Sequence, residues 1–260
     1  MVGALLLRGM LVGVLAGVLS FGFLKIAGEP AVDRAIAFET QLDEAKAQVE
    51  AQAMAAKGMA VPRQEPEPAL VSRKVQAGIG LFTGVVVYSA AFGGLFALAF
   101  ALAYSRIGNL SPRATAALLA AIGIVAVYVV PSLKYPANPP SVGDPQTIGM
   151  RTALYFSMIA VSLLATIATG MLRTRLRPYL GTWNATLLAG AAYLILMIAV
   201  GLALPKIDEV PERFPAALLW QFRVASLGAQ LVLWTTLGLL FGGLTERAAN
   251  TRSELRISAI

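Results

Sequence analysis

The sequence contains no cysteine and no histidine. These two absences exclude disulfide frameworks, thiol nucleophiles, zinc-finger ligand sets and every acid–base scheme that depends on imidazole. Charge is also scarce, because Asp, Glu, Lys and Arg together make up 13% of the 260 residues, whereas a soluble domain carries about 25%. The chain has too little charge to cover a globular surface, which excludes a soluble enzyme of this length.

Apolar residues make up 57% of the chain, and the net charge is +7. A nucleic-acid interface needs Lys and Arg clustered on one face of a folded domain. Here the basic residues lie between long apolar runs, which is typical of the flanks of membrane helices. We therefore expect a lipid bilayer, and no nucleic acid, as the partner of this protein.

Six runs without Asp, Glu, Lys or Arg have about the length that a helix needs to cross a bilayer. They predict an all-α integral membrane protein with six transmembrane helices, at Gly9–Leu24, Val75–Ser105, Ala114–Leu133, Thr152–Leu172, Leu180–Pro205 and Val224–Thr245. The first run could instead be a cleaved signal peptide. Its residues Gly9, Gly13 and Gly17 line one helical face, however, and this pattern favours close helix packing in lipid.

The basic residues indicate the orientation of the six helices. The short loops and termini on one side carry nine Lys or Arg and two Asp or Glu, whereas the longer loops on the other side carry twelve of each. Short loops with excess positive charge remain in the cytoplasm. We therefore expect three helical hairpins, both termini in the cytoplasm, and a multi-pass protein of the inner (plasma) membrane.

The chain divides into four predicted regions. Residues 1–27 hold the first helix, 28–74 an outer loop with an amphipathic helix and a Pro-rich linker, 75–247 a bundle of five helices, and 248–260 a cytoplasmic tail. Within 31–56, apolar residues recur every three or four positions, which predicts the amphipathic helix. A second outer loop contains Pro139 and Pro140, whose fixed φ angles predict a stiff turn.

Two outer loops share a basic pattern. Lys134 and Arg151 recur 72 positions later as Lys206 and Arg223, a spacing that could mark an internal repeat. Arg151 and Arg223 begin descending helices, where a cation is unfavourable beside the helix dipole. We expect them to be held by lipid phosphate or by loop carboxylates.

Several stretches of the outer loops and adjoining helices resemble the CbtA family, the predicted cobalt transporter subunit. The resemblance runs to about Arg247 and rests on residues 28–39, 133–140, 142–145, 147–149, 151–155, 209–211, 214–215, 219–220 and 222–223. It implies cobalt uptake linked to cobalamin metabolism, with cobalt as the substrate and no tightly bound cofactor. It also implies a small, single-span, His-bearing partner subunit, CbtB; the chain could in addition form an oligomer.

The residues themselves constrain where a metal ion could bind. Co²⁺ prefers imidazole nitrogen, sulfur or several oxygens, and no predicted span contains a carboxylate. We therefore expect an incomplete site of oxygen ligands on the outer face, drawn from Glu29, Asp33, Asn138, Asp144, Asp208 and Glu209.

Two functions remain open at this stage. No phosphate-binding Gly-x4-Gly-Lys-Ser/Thr loop and no His-Glu-x-x-His metal motif occurs, so we expect neither ATP hydrolysis by this chain nor an intramembrane enzyme. The first candidate is a cobalt permease completed by a partner. The alternative is a membrane scaffold or accessory subunit that transports nothing itself.

Overall fold

The computed structural model describes residues 2–57, 71–140 and 142–257, and these form helices and loops without any strand. Five helices are long and apolar enough to cross a membrane. They are α1 (Val2–Ala56), α2 (Arg73–Ala103), α3 (Pro112–Lys134), α4 (Ile148–Ala203) and α5 (Ala216–Thr251), and the helical backbone continues after α5 to Ile257. The Pro-rich linker predicted at 58–68 lies outside the described residues.

Helix α1 continues without interruption where the sequence predicted the start of an outer loop at residue 28. A π-helical turn, Leu24–Gly28, joins the apolar part of the helix to its polar extension, Glu29–Ala56. The extension is rich in Ala, Glu and Gln, which are strong helix formers. The predicted amphipathic segment is therefore helical, but it is an extension of the first helix.

Helix α4 contains both of the runs predicted as the fourth and fifth spans, without a loop between them. A straight helix of 56 residues would be about 84 Å long. Gly181 breaks it, with φ 72° and ψ 171°, a conformation that is essentially restricted to glycine. The Ser162 hydroxyl lies 2.8 Å from the Tyr193 hydroxyl, and Arg173 Nε donates to Thr186 Oγ1 at 2.8 Å. The chain therefore reverses direction near Gly181.

Helices α1 and α2 pack with their backbones in contact. Gly9, Gly13 and Gly17 all face α2: a Cβ atom added at Gly13 would lie 2.9 Å from Ala90 Cα, and one added at Gly17 would lie 2.8 Å from Val86 Cα. Because such distances are too short for a side chain, this interface requires glycine on α1.

Helices α3 and α5 complete the main core. Large buried aromatic residues, including Phe100 of α2 and Trp234 and Phe241 of α5, fill the space between α1, α2, α3 and α5. A second cluster joins α3 to both halves of α4 and includes Met158 and Met197. Many large apolar side chains point outward, as expected where a helix surface faces lipid rather than water.

The two ends of the bundle differ in their connections. At one end, Arg8 donates to Thr245 at 3.2 Å, and Arg113 forms an ion pair with Glu246 at 3.2 Å; we call this the terminal end. The opposite end carries loop residues 135–147 and 204–215, and we call it the loop end. There the base of the α1 extension packs on both loops through a cluster that includes Ala31, Val142 and Phe214.

Candidate functional site

A cavity of about 870 Å³ opens between the two loops of the loop end and the adjoining helix ends. We call it the loop cavity. Its lining includes four basic residues, Lys134, Arg151, Lys206 and Arg223, and two acidic residues, Asp208 and Glu209. The four basic residues are the ones that the sequence pairs at a spacing of 72. The fold therefore brings both copies of the basic pattern to one place.

Glu209 joins the two loops. Its carboxylate accepts hydrogen bonds from the Thr147 hydroxyl at 2.6 Å and from the Asp144 backbone N–H at 2.8 Å. Arg151 Nε lies 3.4 Å from the same carboxylate, and Arg151 also donates to the Asp144 carbonyl at 3.2 Å. We call these four residues the Glu209 clasp. A loop carboxylate thus holds Arg151, one of the two arginines that the sequence predicted at the start of descending helices; Arg223 instead lies seven residues after Ala216, the first residue of α5.

The clasp favours the ionised form of Glu209. Hydrogen bonds from Thr147 and from the Asp144 backbone, together with the positive charge of Arg151, lower the pKa of Glu209 below its usual value of 4.5. Nearby, Gly143 has φ 122° and leaves space for the Arg151 guanidinium, which a Cβ atom would obstruct. The loop conformation and the position of Arg151 therefore depend on each other.

Arg223 holds the proline-rich loop by a different arrangement. It donates to the Ala137 carbonyl at 3.3 Å and to Asn138 Oδ1 at 3.0 Å. Tyr135 ties the same loop to the other one by donating to the Pro205 carbonyl at 2.9 Å. Both partners of Arg223 are neutral, so its charge stays uncompensated by these contacts.

The stiff turn lies beside these contacts. Pro139 is buried and its carbonyl accepts from Val142 N–H at 3.3 Å, whereas Pro140 is exposed.

Glu29 and Asp33 lie together at the start of the α1 extension. Arg73 forms ion pairs with both carboxylates, at 2.9 Å in the case of Asp33. Glu29 is 8% exposed and Asp33 is exposed. The pair connects the α1 extension to the first turn of α2, and Arg73 was not among the predicted site residues.

A second cavity, of about 370 Å³, lies between α1, α2 and α5. We call it the bundle cavity. Its polar lining consists of Ser20, Glu29, Tyr88, Ser89, Ser226 and Gln230. Ser226 lines the loop cavity as well, and it accepts a hydrogen bond from Tyr128 at 2.9 Å. Ser226 is therefore common to the linings of both cavities.

The six predicted oxygen ligands do not form one group, although Asn138, Asp208 and Glu209 all line the loop cavity. Glu29 and Asp33 share Arg73, Asp144 and Glu209 belong to the clasp, and Asn138 binds Arg223, while Asp208 lines the loop cavity. Within the described ranges, no group of three or more His, Cys, Asp or Glu side chains could hold a metal ion. In the described residues, Glu29, Asp33 and Glu209 pair with arginines, and Asn138 accepts a hydrogen bond from Arg223.

Comparison with known proteins identifies the family. The family model described as "Probable cobalt transporter subunit (CbtA)" matches residues 2–246. Because the match covers nearly the whole chain, the protein belongs to the CbtA family. No curated protein and no solved structure matches it.

Proposed function

We propose that this CbtA-family protein is the membrane subunit of a cobalt uptake system linked to cobalamin metabolism, and that it acts with a small single-span subunit that supplies histidine. The observation that carries the proposal is the family match over residues 2–246. The need for a partner is supported by the ligand chemistry, because the chain has no His or Cys and Co²⁺ prefers nitrogen, sulfur or several oxygens.

The proposed topology has six membrane crossings, arranged as three hairpins. The protein lies in the inner membrane, and both termini are in the cytoplasm. The reversal of α4 near Gly181 supports six crossings, because each half of α4 is then long enough for one span. The excess of basic residues at the terminal end supports the orientation, since positively charged short loops stay in the cytoplasm. The loop end then faces outward.

We place the cobalt route in the bundle cavity. Glu29 is the single acidic residue that the described part of the chain contributes to its lining, and Ser20, Ser89 and Gln230 add neutral oxygens from three helices. The loop cavity is less suitable for a bare divalent cation, because its lining carries four basic and two acidic residues. Of the six expected oxygen ligands, Glu29 is the one that we assign to the route, with Asp33 beside it.

The test is uptake of cobalt-57 in cells that lack their own importer. We expect uptake when the chain is produced with its partner, and a loss on the order of tenfold for Glu29→Gln, because removal of the one carboxylate weakens cation binding. Glu39→Gln is the matched control: Glu39 is exposed on the same helix extension, and its replacement should leave uptake unchanged. The amount of each variant in the membrane is measured by immunoblot.

A scaffold that transports nothing is the second candidate function. The observation favouring it is the exposure of the α1 extension, where nearly all side chains from Glu39 to Ala56 are exposed. Such a helix has a free surface that could bind another subunit. Absence of uptake in every combination, with the protein present in the membrane, would favour the scaffold. Uptake that is insensitive to Glu29→Gln would retain the transporter and reject the proposed route.

A further inference from the structure

The loop cavity has more positive than negative charge in its lining. Its four basic residues exceed its two acidic residues by two charges. The cavity is partly enclosed by protein, so the charges act through less water than at an open surface. A cleft of one dominant charge concentrates ions of the opposite sign, and for this cavity those ions are anions.

The positive charges are only partly compensated by protein groups. Arg151 forms an ion pair with Glu209, and Arg223 binds only the neutral Ala137 carbonyl and Asn138 amide. Among the residues that the structure describes, Lys134 and Lys206 form no ion pair. At least two lysine charges and one arginine charge therefore line the cavity without forming an ion pair with a carboxylate.

The cavity also has the size and the neutral donors that a ligand site needs. Its volume of about 870 Å³ lies within the range of 300–1,000 Å³ that is common for small-molecule sites, as a rough guide. The hydroxyl-bearing residues Ser132, Tyr155 and Ser226 also belong to its lining. Arginine can form bidentate hydrogen bonds with phosphate and carboxylate, and lysine adds a point charge.

We infer that the loop cavity is a binding site for an anion that carries phosphate or carboxylate groups, held by Lys134, Lys206 and Arg223. The inference goes beyond the proposed cobalt function and does not depend on it, because it concerns a different cavity and a ligand of the opposite charge. A doubly charged phosphate would balance the two excess positive charges of the lining. The phosphate could belong to a phospholipid headgroup or to a soluble anion, and both have the same binding chemistry.

The first experiment measures binding of inorganic phosphate to the purified, delipidated full-length protein by isothermal titration calorimetry. We expect the double variant Lys134→Gln/Lys206→Gln to bind on the order of tenfold more weakly than wild type, which corresponds to about 1.4 kcal/mol. The matched control Lys46→Gln/Lys57→Gln removes two lysines from the exposed α1 extension and should bind as wild type does. Binding to wild type should also weaken as the salt concentration rises.

Two further variants separate lost charge from lost structure. Lys134→Arg/Lys206→Arg keeps both charges and should retain phosphate binding. Asp208→Asn removes an acidic group from the cavity lining and should tighten phosphate binding severalfold, an effect that damage to the fold would not produce.

The second experiment identifies the source of the phosphate. Native mass spectrometry of protein reconstituted with phosphatidylglycerol should show retained lipid on wild type and less on Lys134→Gln/Lys206→Gln if the ligand is a headgroup. Phosphate binding without such a difference in retained lipid would indicate a soluble anion. The inference would be overturned if phosphate and phosphatidylglycerol each bound equally to wild type and to Lys134→Gln/Lys206→Gln, and if Asp208→Asn had no effect on phosphate binding.

Discussion

At the scale of single residues, the Glu209 carboxylate connects the two loops of the loop end through three partners. Its carboxylate joins the Thr147 hydroxyl, the Asp144 backbone and the Arg151 guanidinium. Each of these contacts stabilises the ionised form, and none of them is visible in the sequence, where Glu209 is 58 positions away from Arg151. Sequence reasoning selected Glu209 as a metal ligand because acidic loop residues can bind cations.

The first prediction concerns the dependence of this clasp on pH. A carboxyl whose pKa is lower in the folded than in the unfolded protein adds stability above the unfolded pKa, and that stability is lost as pH falls through the folded pKa. The pKa of Glu209 lies below 4.5, chiefly through the Thr147 hydrogen bond. We therefore expect wild type to melt at a higher temperature than Glu209→Gln from neutral pH down to about 4.5, and the difference to shrink below that.

The melting temperature is measured for the protein in detergent across this pH range. Glu212→Gln is the control, because Glu212 lies in the same loop and is exposed, and it should follow wild type at every pH. A difference between wild type and Glu209→Gln that grew on acidification would contradict the proposed role of the ionised carboxylate.

At the scale of helices, the sequence gives the apolar runs correctly but says less about how they are connected. Absence of charge identifies a stretch that can lie in lipid, and it does so for both halves of α4. It does not reveal that helix extends up to Gly181 on both sides with no longer loop between the two runs, because this connection depends on the local backbone angles of that glycine. The same limit applies to α1, which continues through Gly28 into its polar extension.

The sequence also predicted only part of the helix packing. The spacing of Gly9, Gly13 and Gly17 predicts one close interface, because the three residues are on the same helix. The interface of α3 with α5 uses Gly238, where an added Cβ would lie 2.8 Å from Ala120 Cβ, and this contact joins residues far apart in sequence. A pattern within one helix can be read directly, whereas a pairing between helices needs the fold.

The second prediction tests the α1–α2 interface. Gly13→Leu would drive a large side chain into Ala90 and the Ser89 carbonyl, and overpacking of this kind costs about 1–3 kcal/mol. We expect a lower melting temperature in detergent and less folded protein in the membrane. Gly22→Leu on the same helix is the control, since nothing lies within 4 Å of a Cβ atom added there; equal stability of the two variants would show that the close contact is not required.

At the scale of the whole molecule, the spacing of the basic residues pointed to the loop cavity but did not show how the fold assembles it. The spacing that relates Lys134 and Arg151 to Lys206 and Arg223 was visible in the sequence. Their meeting in one cavity was not, because it requires the two loops to lie side by side. The pairing of Glu29, Asp33 and Glu209 with arginines was not visible either, because opposite charges pair where the fold brings them together.

The last prediction concerns the number of membrane crossings, on which the assignment of the loop cavity to the outside depends. The chain has no cysteine, so single cysteines introduced at Glu44, Asn109, Tyr179 and Glu212 can be labelled with a membrane-impermeant maleimide. All four side chains are exposed. Six crossings place Glu44 and Glu212 on the outer side and Asn109 and Tyr179 in the cytoplasm. We therefore expect labelling of the first pair in intact cells and of the second pair only after permeabilisation.

Tyr179 decides between the alternatives, because it lies two residues before Gly181, where α4 reverses. If α4 crosses the membrane twice, Tyr179 must be on the opposite side from Glu212; if α4 does not enter the membrane, the two positions are on the same side. Joint labelling of Tyr179→Cys and Glu212→Cys in intact cells would therefore contradict six crossings. Labelling of Asn109→Cys and Tyr179→Cys alone in intact cells would retain six crossings and invert the orientation, which would place the loop cavity in the cytoplasm.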